Sequence, residues 1–226
     1  MAAIGLSVVC VDVSAANLAS LERRYADLVA RKALVPVQAD LTELPLEDGS
    51  VGGVFCMEVL EHIEDDRRAL AEMHRILVPA GLCVLTTPNR EAPLPLVERL
   101  GLQSVHDVAG PECHVRPGYR RAELQALLTD AGFEVASLGG IGGPLYRLTS
   151  GIVSLVHLAY RRARGQRAWT WADVELELGS PFFRLYGVVF PLLLGLARLD
   201  PPDRGEKSSL LAVAVRPAEF GPARIR

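Results

Sequence analysis

The stretch QADLTELPLEDGSVGGVFCMEVLEHIEDDRRALAEMHRILVPAGLCVLTTPNR, Gln38 to Arg90, decides the fold. Within it VGGVFCMEV, Val51 to Val59, is a short apolar run of strand length. A helix follows from about Asp65 to Leu77, and Pro79-Ala80-Gly81 stops it. The chain then turns into LCVLTTP, a second strand that ends at Pro88. Strand, helix, strand is the unit of an α/β domain whose parallel sheet is covered on both faces.

The same alternation extends outward. On the N-terminal side, Ser7 to Val11 reads as a strand ending on Asp12. A helix is expected from Ala15 to Ala30, with Leu18, Leu21, Tyr25, Leu28 and Val29 at helical spacing and Ser14 as its N-cap. Leu34 to Ala39 is another strand, ending at Asp40. A strand that ends in an acid is how nucleotide-binding α/β domains hold a ribose, because one carboxylate accepts from both sugar hydroxyls. On the C-terminal side, Asn89 to Gly118 holds four prolines and no periodicity, a long connection over a site. Tyr119 to Ala131 is a helix stopped by Gly132, FEVASL is a strand, and GGIGGP is a hinge-like break. Residues 145–200 read as a mostly helical, apolar insertion, and SSLLAVAVRP, Ser208 to Pro217, as the last strand. The tail after it reads as disordered.

Composition bounds the function. The 226 residues allow one domain with an insertion, and a net charge of −3 leaves no nucleic-acid footprint. The cluster Arg161, Arg162, Arg164 and Arg167 reads as a solvated helix end. Cys10, Cys56, Cys83 and Cys113 have neither zinc nor redox spacing, so they read as small buried residues in a reducing compartment. No basic residue precedes the first apolar stretch and Asp12 interrupts it, so a signal peptide is not expected and a cytoplasmic chain is. In FFRLYGVVFPLLLGLARL, residues 182–199, the uncharged core is shorter than the about 20 residues a membrane span needs. A buried or lid helix is the favoured reading there, with peripheral membrane contact as the alternative.

As a set, these motifs resemble the class I S-adenosylmethionine-dependent methyltransferases, particularly those related to the ubiquinone-pathway O-methyltransferases. That family shows an acid after a strand, then "LP…D.S.D", a strand leading into "LEH", a helix, "PGG", a strand and "PN". HVRPGYRRAELQALLTDAGFEV, His114 to Val135, also resembles a stretch of the family. The likeness covers about residues 5–138 and the final strand. It implies a Rossmann-like class I methyltransferase sheet formed by 1–138 plus 207–217, with 139–206 as a helical cap and 218–226 as a tail. The implied cofactor is S-adenosylmethionine and the implied partner a small-molecule acceptor; the sequence leaves the oligomeric state open.

The resemblance also implies roles. Asp12 would hold the ribose hydroxyls, and Asp40 would accept from the adenine amino group with the backbone of Leu41 beside it. Met57 and Glu58 would flank the methionine end. Plainer readings stand beside these: Asp12 as a charge at a helix N-terminus, Asp40 as a loop acid. Glu58, Glu61 and His62 stand at i, i+3 and i+4, where a helical turn would put them on one face as ligands of a divalent ion. The ubiquinone-pathway relatives associate this pattern with such an ion, while many other class I methyltransferases carry the letters as a structural turn, so a metal is left unassigned. His114 is the candidate general base, against a loop histidine packed on the sheet edge; His106 and Asp107 are weaker candidates.

One departure is large. The family places a strand and a "D.GCG.G" glycine loop before the ribose acid, and GLSVVCVD matches what normally follows the first helix. That strand sits mid-sheet, between the strands ending at Asp12 and near Met57, so its loss leaves two edges unpaired. The expectation is therefore a start that falls too late, in a truncated piece of a longer polypeptide. The leading function is methyl transfer to a small molecule, at oxygen of an apolar or lipid-linked acceptor. The rivals are a non-catalytic remnant that binds a partner protein, and, last, a nicotinamide-dependent dehydrogenase.

Overall fold

The structure is a computed structural model that describes residues 5–92, 114–143 and 207–218. Strand β1 is Val8–Asp12, helix α1 Ala15–Arg24, helix α2 Ala26–Ala30 and strand β2 Leu34–Gln38. Strand β3 is Val51–Met57; a 3₁₀ turn, Leu60–His62, leads to helix α3, Asp66–Ile76, and strand β4, Leu77–Pro88. Helix α4 is Arg121–Asp130, strand β5 Glu134–Ile141 and strand β6 Ser209–Val215.

Three local outcomes differ from the sequence expectation. The helix expected over 15–30 breaks at Tyr25, whose amide closes α1 on the Leu21 carbonyl while its own carbonyl accepts from Leu28 and Val29 to start α2. The Pro79-Ala80-Gly81 turn lies inside β4 as an irregularity, with Ala80 in the left-handed region at φ 62°. The strand expected to stop at Leu138 runs on to Ile141, because Gly139 and Gly140 pair with Leu211 and Leu210. The GGIGGP break is thus partly strand.

Among the described residues the strands form two sheets. One is β1 beside β2, parallel; the other has the order β3-β4-β6-β5, with β3 and β4 parallel and β6 antiparallel to both neighbours. The edges of β1 and β3 carry no strand partner within these sheets. The core lies between the second sheet and helices α3 and α4: Cys56, Leu70, Met73, Leu77, Leu85, Leu124, Leu128, Phe133, Leu210 and Ala212 pack together. The residues of β3 that alternate with Cys56 point the other way and are open to solvent, with Phe55 52% and Met57 50% exposed.

The loop after β2 ties the first sheet to α3. Leu41 packs against the core and Leu44 is buried. The Thr42 carbonyl accepts from Arg68 in the first half of α3, and the Leu46 carbonyl from Arg75 in its last turn. The loop therefore runs down α3 from its start to its end. This places the tip of β2 at the end of α3 that also meets the tip of β3.

Candidate functional site

Asp12 closes β1 opposite Gln38, and its carbonyl accepts from Ala39 at 3.2 Å, one residue before Asp40. The two acids thus stand at adjacent tips of paired parallel strands. Asp12 Oδ1 accepts from the Ser14 amide at 2.8 Å and Oδ2 from Asn17 Nδ2 at 3.1 Å, while Ser14 Oγ caps α1 through the Asn17 amide. A carboxylate offers about four lone-pair sites, so about two remain for a ligand. Asp40 is exposed, and its Oδ1 accepts from the Thr42 amide at 2.8 Å and Thr42 Oγ1 at 2.7 Å. Those two bonds, the amide first, hold its carboxyl below the usual carboxylate range, so it stays an acceptor.

In the other sheet, β3 ends on Met57, and the chain kinks at Glu58, which sits at φ 52°. Thr86 of β4 fixes this kink, its carbonyl accepting from the Glu58 amide at 3.0 Å and its Oγ1 from the same amide at 3.2 Å. Helical geometry begins only at Leu60, in the 3₁₀ turn. Glu58 therefore does not share a helical face with Glu61 and His62. The i, i+3, i+4 arrangement expected from the sequence is not formed.

A different third residue joins them. Glu61 is 1% exposed, and its Oε2 accepts from Thr87 Oγ1 at 3.0 Å. His62 Nε2 lies 4.0 Å from Glu61 Oε1, and the His62 ring meets the His114 ring edge-on, centroids 4.5 Å apart at 83°. One ligand atom from each of Glu61, His62 and His114 falls within 4.8 Å of the others. His114 is exposed, so the trio opens outward.

The segment His114–Tyr119 owes its place to the backbone of Glu61 and to Arg116, Gly118 and Tyr119, which the sequence reading did not single out. The Glu61 carbonyl accepts from the amides of Val115, at 3.0 Å, and Arg116, at 3.3 Å. Arg116 pairs with Asp66 and donates to the carbonyls of Ile63 and Glu64. Tyr119 is buried; its hydroxyl donates to Asp66 Oδ2 at 2.8 Å and accepts from Arg116 Nη1 at 2.7 Å. At Gly118, φ is 98°, and a Cβ would stand 2.2 Å from the Pro88 oxygen. The segment is pressed onto the end of β4 at a point where only glycine fits. The motif HVRPGY carried that signal, with its Arg, Gly and Tyr each used.

Among curated proteins, the chain is 33% identical over 152 residues to a probable S-adenosylmethionine-dependent methyltransferase of Mycobacterium tuberculosis, covering 65% of this chain and 48% of that protein. A probable S-adenosylmethionine-dependent methyltransferase of Mycolicibacterium smegmatis is 31% identical over 227 residues, 96% of this chain and 76% of the relative. The chain belongs to the S-adenosylmethionine-dependent methyltransferase family. A methyltransferase domain model matches residues 1–85. A ubiquinone biosynthesis O-methyltransferase of Pseudomonas paraeruginosa is 29% identical over 144 residues, 62% of this chain and 61% of that enzyme. The fold agrees: a putative sarcosine dimethylglycine methyltransferase from Galdieria sulphuraria superposes with a TM-score of 0.58 at 15% identity, covering 94% of this chain and 71% of that one. The sheet is accordingly a Rossmann-like class I methyltransferase sheet. The chain spans about half the length of the mycobacterial protein it matches at 33%.

Asp12, Asp40 and Leu41 come together at the paired tips of β1 and β2, and Met57 and Glu58 close β3 in the other sheet. His114 joins the Glu61–His62 turn rather than the two acids. Cys56 and Cys83 are buried, and burial, as the main cause, pushes each thiol up to about 12, which fits inert packing residues. Cys113, His106, Asp107, the basic cluster, the expected cap over 145–200 and the 182–199 stretch lie outside the described residues. Among the described ones, no helix is long and apolar enough to cross a membrane.

Proposed function

We propose that the chain transfers a methyl group from S-adenosylmethionine to a small-molecule acceptor. The observation that carries this is the pairing of Asp12 and Asp40 at neighbouring tips of parallel β1 and β2. In this reading Asp12 binds the ribose hydroxyls with its remaining lone pairs, Asp40 accepts from the adenine amino group, and Leu41 lines the base. Met57 and Glu58 flank the methionine end. S-adenosylmethionine bound there would supply a sulfonium methyl for the acceptor oxygen, with the sulfur keeping the electron pair of the carbon–sulfur bond. His114 takes the acceptor proton, with His62 edge-on to it and the Glu61 carboxylate behind. Orientation and exclusion of water supply the rest of the acceleration.

Oxygen as the methylated atom is supported by the ubiquinone biosynthesis O-methyltransferase relative. The exposed Phe55 and Met57, together with the apolar composition of 145–200, support an apolar or lipid-linked acceptor. A membrane-surface encounter through 182–199 and a cytoplasmic location belong to the same reading. So does a further strand with a glycine turn, seated between β1 and β3, each of which has one edge with no strand partner among the described residues. The remnant alternative keeps the fold and drops the cofactor.

Calorimetry separates these readings. S-adenosylhomocysteine is titrated into the chain, its Asp12→Asn and Asp40→Asn variants, and a form extended at the N-terminus by the upstream coding sequence. Binding that weakens in both variants supports the assignment, in whichever form it is seen. Binding by neither form leaves the remnant reading.

A second reading of the histidine cluster rests on one observation, the convergence of Glu61, His62 and His114 ligand atoms within 4.8 Å. Two imidazoles and a carboxylate suit a divalent transition ion such as zinc. Bound there, it would supply Lewis acidity toward the acceptor oxygen. Zinc calorimetry on the chain and on His114→Ala decides it, since a single-site isotherm must vanish in the variant.

A further inference from the structure

Arg75, in the last turn of α3, contacts five points of one loop and its anchor. Its Nη2 donates to the Leu44 carbonyl at 3.0 Å, Nη1 to the Leu46 carbonyl at 2.7 Å, and Nη1 to Asp48 Oδ1 at 2.6 Å. Nε and Nη2 form a two-pronged pair with the Glu72 carboxylate at 2.9 and 2.8 Å. The backbone carbonyl of Arg75 accepts from Gly49 at 2.9 Å. Glu72, only 6% exposed, also accepts from the Leu44 amide at 2.9 Å, and Arg68 one turn earlier reaches the Thr42 carbonyl at 3.2 Å. Residues 42–49 are therefore held as a rigid strip along α3. Asp40 stands directly before that strip and is oriented by its first member, Thr42, through two hydrogen bonds.

We propose that Arg75 and Glu72 are positioning residues for nucleobase selection: from α3 they fix the loop that aims Asp40 at the exocyclic amino group of the cofactor's purine. This rests on the reading of Asp40 given above. A planar guanidinium is suited to the task, because its fork of donors satisfies two carbonyls and two carboxylates at once, which a lysine ammonium does not reproduce. Neither residue touches the cofactor. Their effect is on which base is accepted.

The test uses S-adenosylhomocysteine and its inosine counterpart, in which an oxygen replaces the amino group. Opposite Asp40 that oxygen meets an acceptor, so the unaltered chain should prefer the adenine form by about tenfold or more, the factor carried by one charge-assisted hydrogen bond. Arg75→Met should bring the two affinities to within about twofold of each other, Arg75→Lys should restore part of the preference, and Arg68→Ala should lower it. A variant that weakens both ligands in equal proportion overturns the proposal, because that is what a purely structural loss does. Amide exchange without ligand gives a second measure: faster exchange confined to residues 42–49 in Arg68→Ala and Arg75→Lys supports the strip, and unchanged exchange there refutes it. If neither the unaltered chain nor its N-terminally extended form binds either nucleoside, the Asp40 reading fails, and the exchange result still judges the clamp.

Discussion

Replacing Gly118 with alanine tests how the histidine cluster is assembled. At φ 98° the backbone lies outside the regions L-residues occupy, a cost of about 1–3 kcal/mol. The new Cβ would stand 2.2 Å from the Pro88 oxygen and 2.8 Å from the Pro88 carbonyl carbon. Relief needs a shift of about 1 Å between segment and strand, since non-bonded carbon and oxygen settle near 3.2 Å or beyond. That shift stretches the Tyr119 amide bond to the Pro88 carbonyl and the Arg90 amide bond to the Tyr119 carbonyl, both 3.0 Å. At about 0.5–1.5 kcal/mol each, the total reaches about 2–6 kcal/mol. Urea unfolding measures it, with Gly49→Ala as the control: φ there is also positive, at 59°, but the nearest atom to a Cβ is 3.9 Å away. The control should lose only about 1–2 kcal/mol. The nuclear Overhauser contact between the His62 and His114 rings should vanish in Gly118→Ala alone. Equal losses in the two variants, or a surviving ring contact, would refute the reasoning.

Other consequences follow from single residues. Ala80→Gly, which removes a Cβ from a left-handed position at φ 62°, should stabilise the fold by about 1 kcal/mol in the same urea assay. Glu72 is held down at about 2 from an ordinary 4.5, chiefly by its hydrogen bonds from Arg75. Its contribution is thus fully present above about pH 5 and fades as pH falls toward 2, so the urea-midpoint gap between the unaltered chain and Glu72→Gln should narrow over that range. Cys56 and Cys83, both raised to about 12, should resist iodoacetamide at pH 8 until the chain unfolds, as peptide mass mapping would show. Tyr119→Phe should cost about 1–2 kcal/mol, by breaking the hydroxyl's bond to Asp66.

The fold was legible in the sequence where patterns are local. The run Val51–Met57 and the α3 region each carry their own signal, and each stands within a few residues of the expected place. What was not legible depends on contacts between distant segments. Glu58, Glu61 and His62 have ligand spacing in one dimension, but Thr86, 28 residues beyond Glu58, kinks the chain between them. His114 enters the cluster because the Glu61 carbonyl takes two amides of its segment, which no spacing reveals. The Arg75 clamp was hidden for a similar reason. An arginine in the last turn of a helix reads as a charge complementing the helix dipole, and only the fold brings four loop residues beneath it.

Asp12 shows that a plain role and a chemical one need not compete. Its carboxylate braces the start of α1 through Ser14 and Asn17, which alone would explain an acid before a helix. Bracing, however, uses one bond per oxygen, and an asparagine could supply nearly as much, because its amide oxygen still accepts from the Ser14 amide. Ribose recognition uses the rest of the carboxylate, and there asparagine fails: one oxygen cannot face both the helix and two hydroxyls. Asp12→Asn should therefore cost no more than about 1 kcal/mol of stability, yet weaken S-adenosylhomocysteine at least about tenfold, the worth of one charge-assisted hydrogen bond. Paired urea and calorimetric measurements on this one variant decide the matter. A stability loss of several kcal/mol with unchanged affinity would make Asp12 a helix brace and nothing more.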